Sequence, residues 1–287
     1  MAAPASTATL LVSCPDQRGI VAALAQLLYG HGANILDADQ HTDGRAGVFF
    51  QRIRFDLAEL RTDRTALEQA IREVAARLHM DWRLAYARSA KRMAIFVSRT
   101  DHCLYDLLLR HRAGELACEI PLVVSNHPEL EPVARHFGID YRVFEITPET
   151  KQRQEAAEQA LLDEQRIDLV VLARYMQVLS PQFALRYHGR IINIHHSFLP
   201  AFSGGRPYHQ AHERGVKLIG ATAHYATKDL DEGPIIEQDV IRASHSDTVD
   251  DLVRKGRDVE RAVLSRAVRW HLDDRVLVYG NKTVVFS

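Results

Sequence analysis

The 287 residues carry 36 Lys and Arg against 37 Asp and Glu, so the formal charge is −1. That balance excludes a general nucleic-acid or membrane-surface binder, which needs a basic excess, and no apolar run approaches the roughly 20 residues of a membrane span. Cys14, Cys103 and Cys118 are scattered, show no metal-ligand spacing and suit a reducing compartment. With neither a basic start nor a long apolar stretch before Thr9, a cytoplasmic protein without a bound metal is expected.

Thr9–Cys14 is a short apolar run that predicts a first strand, broken by the turn chemistry of Cys14-Pro15-Asp16-Gln17-Arg18-Gly19. Ile20, Ala23, Leu24, Leu27 and Leu28 then recur at the spacing of one helix face, which Gly30-His31-Gly32 ends. Ala33–His41 and Gly47–Phe55 read as strands joined by Thr42-Asp43-Gly44-Arg45, a hairpin marked by its Asp-Gly pair. Leu67, Ala70, Ile71, Val74 and Leu78 repeat the helical period, and Trp82–Tyr86 is a last short strand. The order βαββαβ predicts a ferredoxin-like α+β sandwich, two helices over one face of an antiparallel sheet.

The strand leading to Cys-Pro-Asp-x-x-Gly-Ile-Val, the helix after it, and Gly-Ala-Asn-Ile-Leu-Asp resemble an ACT domain, a small regulatory module of amino-acid metabolism. The resemblance implies an effector site bordered by Asp16, Gly19, Ile20 and Asn34; Arg18 stands where relatives often carry Pro. This regulatory domain is expected over residues 1–88, ordered from about residue 8.

Arg88-Ser89-Ala90-Lys91-Arg92 is a polar join, after which the periodicity changes. Met93–Ser98, Leu116–Ser125, Tyr141–Glu145 and Asp168–Leu172 are apolar strands. Between them lie helical stretches at Asp101–His111, from Pro128 to Phe137, and from Pro148 to about Gln165. This alternation predicts a parallel sheet covered on both faces, a doubly wound α/β domain over residues 89–287. Such sheets bind ligands at the carboxyl ends of their strands. Asn126, Arg174 and the pair Asn193/His195 therefore fall along one edge. There is no Walker loop and no Gly-x-Gly-x-x-Gly, so no nucleotide cofactor is indicated, and Ser203-Gly204-Gly205 is too slight to be a phosphate loop.

Ile191-Ile192-Asn193-Ile194-His195 reads as the end of a buried strand that Pro200 cannot extend. Side chains alternate along a strand, so Asn193 and His195 project to one side. The amide can donate to a carbonyl oxygen, and the imidazole can move a proton. Further on, Leu218–Tyr225 and Pro234–Ile241 are strands holding the polar loop Ala226–Gly233 at both ends, with Asp229, Asp231 and Glu232 inside it. Val249, Leu252, Val253, Val259, Ala262 and Val263 mark a long helix, and Arg275–Val278 with Thr283–Phe286 fit a closing hairpin.

Asn193-Ile194-His195 with Pro200, followed by His224-Tyr225-Ala226-Thr227-Lys228-Asp229-Leu230-Asp231-Glu232-Gly233-Pro234, resembles the folate-dependent formyltransferase catalytic domain. The resemblance implies that Asn193, His195 and Asp231 act together on the formyl group of 10-formyltetrahydrofolate. It also implies that Met176, Gln177 and Val178 flank the pterin. An ACT domain joined to this catalytic domain resembles the formyltetrahydrofolate deformylase family. That implies hydrolysis to formate and tetrahydrofolate, formate supply for purine synthesis and balance of the one-carbon pool. No cofactor is implied beyond the folate substrate, and glycine and methionine are the implied effectors. A homo-oligomer, dimer or tetramer, is expected, with no nucleic-acid or membrane partner.

In this scheme Asp231 and His195 activate water and Asn193 stabilises the oxyanion, with the identity of the general base left open. The alternatives are a formyltransferase using an amine such as glycinamide ribonucleotide, or a non-catalytic folate or amino-acid sensor. Ser98-Arg99-Thr100-Asp101-His102 carries an acid and no glycine after the second domain's first strand, which counts against a phosphorylated co-substrate. The intact set of three counts against a sensor.

Overall fold

The computed structural model describes residues 6–87, 90–201 and 207–287; the Ser203-Gly204-Gly205 loop lies outside the described residues. The chain divides into two compact units. One comprises Met1–Ala90, Asp273–Tyr279 and Val284–Ser287, the other Lys91–Leu272 and Gly280–Thr283.

The first unit runs β1 (Thr7–Pro15), α1 (Ile20–Gly30), β2 (Asn34–Asp43), β3 (Val48–Asp56), α2 (Arg64–Leu78) and β4 (Asp81–Tyr86). The strands lie antiparallel in the order β2-β3-β1-β4, the expected sandwich. Strand alternation sends Leu10 and Val12 of β1, with Ile53 and Phe55 of β3, to the face packed by Leu24, Leu28, Leu67 and Ile71 of the helices. Leu11 and Phe50 point to the opposite face and are covered by Leu277, Val284 and Phe286. These last residues come from the closing hairpin, β12 (Val276–Tyr279) and β13 (Lys282–Val285). The bounds expected from the sequence, 89–287, place the whole hairpin in the second domain. In the structure residues 273–279 and 284–287 group with the first unit, because Leu11 and Phe50 would otherwise face water.

The second unit runs β5 (Lys91–Val97), α3 (His102–Arg112), β6 (Cys118–Ser125), α4 (Glu131–His136), β7 (Asp140–Val143), α5 (Lys151–Glu164) and β8 (Leu169–Leu172). It continues with α6 (Pro181–Arg186), β9 (Ile191–His195), α7 (Pro207–Arg214), β10 (Leu218–Tyr225), β11 (Ile235–Arg242) and α8 (Val249–Leu272). Its sheet has the order β11-β10-β9-β8-β5-β6-β7. The pairs from β9 to β7 are parallel, as expected. β10 is antiparallel to β9 and to β11, so the sheet is mixed rather than wholly parallel. The short loop between β10 and β11 explains the second of these, since a parallel pair needs a crossover of a dozen or more residues.

The chain moves outward from β5 to β6 and β7, then returns to the other side of β5 for β8 and β9. The order therefore reverses between β5 and β8, and such a switch point is where sheets of this kind carry their ligand crevice, outside the carboxyl ends of the two strands. The segments after β5 and after β8 flank it, and Asn193 and His195 end the next strand along.

Candidate active site

The pairing of β9 with β10 sets Asn193 opposite His224 and His195 opposite Thr222. Directly paired residues share a face, so the Asn193 amide meets the His224 ring, Nδ2 to Nε2, at 3.1 Å. His224 Nδ1 lies 3.1 Å from the Tyr225 carbonyl oxygen. A carbonyl only accepts, so Nδ1 carries the proton and Nε2 accepts from Asn193. The amide orientation is thereby assigned, and one Asn193 N–H is left for a further acceptor.

Asp231 stands in the loop between β10 and β11, with φ +57°. The Tyr225 N–H donates to the Pro234 carbonyl at 2.9 Å, closing that loop at its base. A Cβ on Gly233 would lie 1.8 Å from the Tyr225 carbonyl oxygen, so only glycine fits the closure. The loop delivers Asp231 Oδ2 to 3.2 Å from His195 Nδ1, and Oδ1 to 3.7 Å from His224 Nε2. Burial opposes ionisation of this carboxyl, but the hydrogen bond and charge of His195 outweigh it and hold its pKa well below the usual range.

With Nδ1 committed to Asp231, His195 has its Nε2 buried and without a partner among the described residues. A buried ring nitrogen in that condition is a site for a reacting group. The neighbouring His196, ring centroids 5.2 Å apart, is pushed down to about 3 by burial and then by the Arg174 charge, so it stays neutral. The turn after β9 is fixed by Thr222, whose Oγ1 donates to the Ser197 carbonyl at 2.8 Å and accepts from the Leu199 N–H at 3.1 Å. Ser197 Oγ donates to the Ala201 carbonyl at 2.7 Å, a structural bond.

The segment after β8 leaves Met176 and Val178 more than half exposed at 55% and 54%, with Gln177 between them half-buried. Exposed apolar groups grouped in this way mark an interaction surface. Buried acceptors hold this segment in place. The Met176 N–H donates to Ser98 Oγ at 2.9 Å, which donates to Asn126 Oδ1 at 2.7 Å. Tyr175 donates to Glu158 at 3.1 Å, and the Ser180 N–H donates to Glu155 at 2.9 Å. Asn126 is thus an anchor for the loop, buried beneath it.

In the first unit Asp16 and Gly19 lie in the β1–α1 loop and Asn34 opens β2, all three exposed. Ile20 is 2% exposed and packs in the helix–sheet core.

A model of the formyl transferase family matches residues 91–268, and a model of the ACT domain matches residues 8–73. The chain is 58% identical to a formyltetrahydrofolate deformylase of Synechocystis, over 98% of this chain and 99% of that protein. A crystal structure of a formyltetrahydrofolate deformylase from Pseudomonas syringae pv. tomato superposes with a TM-score of 0.95 at 46% identity, covering 99% of this chain and 95% of that one. A glycinamide ribonucleotide transformylase from Symbiobacterium toebii matches with a TM-score of 0.65 at 31% identity, over 69% of this chain and 95% of that one.

Proposed function

The chain belongs to the formyltetrahydrofolate deformylase family and hydrolyses 10-formyltetrahydrofolate to formate and tetrahydrofolate; from that premise we propose how Asn193, His195 and Asp231 share the reaction. The carrying observation is the pairing of His195 Nδ1 with Asp231 Oδ2 while Nε2 stays buried and unpartnered. Asp231 fixes the ring and its tautomer, and Nε2 accepts a proton from water as the oxygen attacks the formyl carbon. The free N–H of Asn193 donates to the formyl oxygen as it becomes an oxyanion. When the bond from carbon to N10 breaks, His195 returns the proton to the departing nitrogen. Formic acid then loses its proton to solvent.

Exposed Met176 and Val178, with half-buried Gln177, support the reading that the pterin lies against the segment after β8. The chemistry needs no cofactor beyond the folate, and the released formate would serve purine synthesis in the cytoplasm. The first unit would carry amino-acid control, through glycine and methionine bound near Asp16, Gly19, Ile20 and Asn34. β2 is an edge strand with Ile35 and Leu36 exposed, a surface that favours self-association, so a dimer or tetramer is the expected form.

The test is an assay of 10-formyltetrahydrofolate in buffer with no amine, following formate and tetrahydrofolate together. Equal release of both, lost in Asp231→Asn, is the expected result. Release that waits for an added amine would make the chain a transferase and overturn the reading.

A further inference from the structure

The crevice at the switch point between β5 and β8 is where a doubly wound sheet normally receives a ligand. A transformylase built on this domain must admit an amine acceptor beside the folate, whereas a deformylase needs only water. In this chain several polar groups around this switch point face one another, while His102 Nδ1, Arg174 Nε and Thr100 Oγ1 stay buried without a hydrogen-bond partner among the described residues. Glu260 of α8, 1% exposed, accepts from Tyr208 Oη at 2.6 Å and pairs with His102 Nε2 at 2.8 Å. Arg174 Nε lies 3.5 Å from the same Glu260 Oε2. Arg174 follows β8 with φ +65°, and its side chain is 14% exposed.

Each surrounding element contributes to this closure. His102 opens α3, and its ring is 8% exposed rather than turned out to serve a ligand at the helix start. Asp101, at the N-terminus of that helix, makes no side-chain cap bond and places an acid where an anion would otherwise be favoured. Arg99 is drawn away to Glu129 at 3.4 Å. Tyr208 of α7 reaches Glu260 only because position 256 is glycine: a Cβ there would lie 2.0 Å from the tyrosine hydroxyl. The Tyr208 ring also lies against His196, centroids 6.1 Å apart, so the cluster extends to the residue beside His195.

His102, Cys103 and Glu260 have ligand atoms close enough to suggest a cation site. The carboxylate is already occupied by His102 and Tyr208, and a guanidinium lies beside it, so a cation would meet a like charge. The cluster therefore reads as a plug.

We propose that Arg174, Glu260, His102 and Tyr208 form the specificity determinant that makes water the acceptor, by filling the crevice through which an amine would approach the formyl carbon. This rests on the hydrolase reading above. Opening the plug would let an amine compete. Its nitrogen would attack the formyl carbon, the bond to N10 would break, and the proton lost by the amine would pass to N10, giving a formamide and tetrahydrofolate.

The experiment supplies glycinamide as the amine to the full-length enzyme turning over 10-formyltetrahydrofolate and measures formylglycinamide against formate. Arg174→Gly suits the left-handed backbone and removes one wall; His102→Ala removes another while leaving Glu260 paired with Tyr208. Thermal melts report folding, and either folded variant decides the matter. The expected result is almost only formate from the wild type and a ratio of formylglycinamide to formate raised at least tenfold in the variants. An unchanged ratio in a folded, active variant would overturn the proposal, as would a wild type that transfers as readily or a folded variant without hydrolysis. A wild type that releases no formate in plain buffer would instead refute the hydrolase reading itself.

Discussion

The oxyanion role proposed for Asn193 requires its amide to be held the right way round, and the His224 ring lies where it can hold it. Removing a single transition-state donor typically costs about 3 kcal/mol, or ~10² to 10³ in turnover. Asn193→Ala is expected to lower kcat by that order with an unchanged melting temperature. His224→Ala leaves the donor present but unoriented, so a smaller loss of roughly tenfold is expected, and the double variant should be less than additive because the two act as one unit. Purely additive losses would dissociate His224 from the role of Asn193. The sequence showed Asn193, His195 and Asp231 through their motifs. It also showed His224 as a letter in the same motif, but no role for it, because the strand register that sets it opposite Asn193 is a long-range fact.

Buried acids were the least legible residues. Glu158 lies in α5 as one charged letter among many, yet it is fully buried with Oε2 unpartnered. Burial pushes its pKa up to about 7 from an ordinary 4.5, opposed by the Tyr175 hydrogen bond and helped by Glu155. Below 4.5 both folded and unfolded chains hold the proton; between 4.5 and about 7 the folded chain holds more. Stability from this group must therefore fall as pH rises through that window, by at most about 3 kcal/mol. Glu158→Gln keeps an acceptor for Tyr175 and abolishes the titration. It is expected to be more stable than the wild type at pH 8 by about 1 to 3 kcal/mol and nearly equal at pH 4.5, measured by urea unfolding at both values. Parallel stability curves for the two proteins would contradict the assignment.

Among the elements, the loop between β10 and β11 is the one that brings Asp231 to His195. Its base is closed by one backbone hydrogen bond across Gly233, and its tip holds Asp231 in a left-handed conformation. Gly233→Ala puts a methyl group inside the van der Waals radius of the Tyr225 oxygen, so the loop has to move. An ångström of misplacement near the chemistry costs about 10² in rate. The expected result is a fall in kcat of that order with KM little changed, since the segment bearing Met176 and Val178 is a separate element. An equal rise in KM would indicate that the loop also binds the folate.

The strands that bury on both faces were readable as apolar runs, and the catalytic loop was readable because two strands bracket it. The direction of β10 was not, since an apolar run has no polarity of its own and its neighbours alone decide whether it pairs parallel. The short helices α6 and α7 also passed unnoticed, although Ser180 caps α6 by accepting from the Phe183 N–H, with Pro181 at the first helical position. Six and eight residues carry too few turns to show a clear period.

At the scale of the whole molecule, the C-terminal residues are the part whose loyalty the sequence concealed. A hairpin of alternating apolar residues reads the same wherever it packs, and its companions are Leu11 and Phe50 of a sheet far earlier in the chain. Phe286 is 6% exposed, and Tyr279 lies over Phe50 with ring centroids 4.6 Å apart. Arg52, itself 3% exposed, donates to the Asp274 carbonyl at 3.1 Å and to Asp37 at 2.6 Å, so the polar edge of this face depends on the same segment. Deleting Val284–Ser287 removes Phe286 and Val284 from that face, and burial of a Phe or Val side chain contributes about 1.5 to 3 kcal/mol. The loss falls on the first unit, while the elements carrying Asn193, His195 and Asp231 keep all their strand pairings. The shortened chain is expected to melt in two steps, the first well below the single transition of the full chain, with formate release intact at temperatures below the first step. Calorimetry and the buffer-only assay on the same preparation check both halves. A single transition at the original temperature would mean that the terminal residues contribute nothing to the first unit. Loss of turnover at temperatures where both units remain folded would mean that catalysis depends on the tail directly.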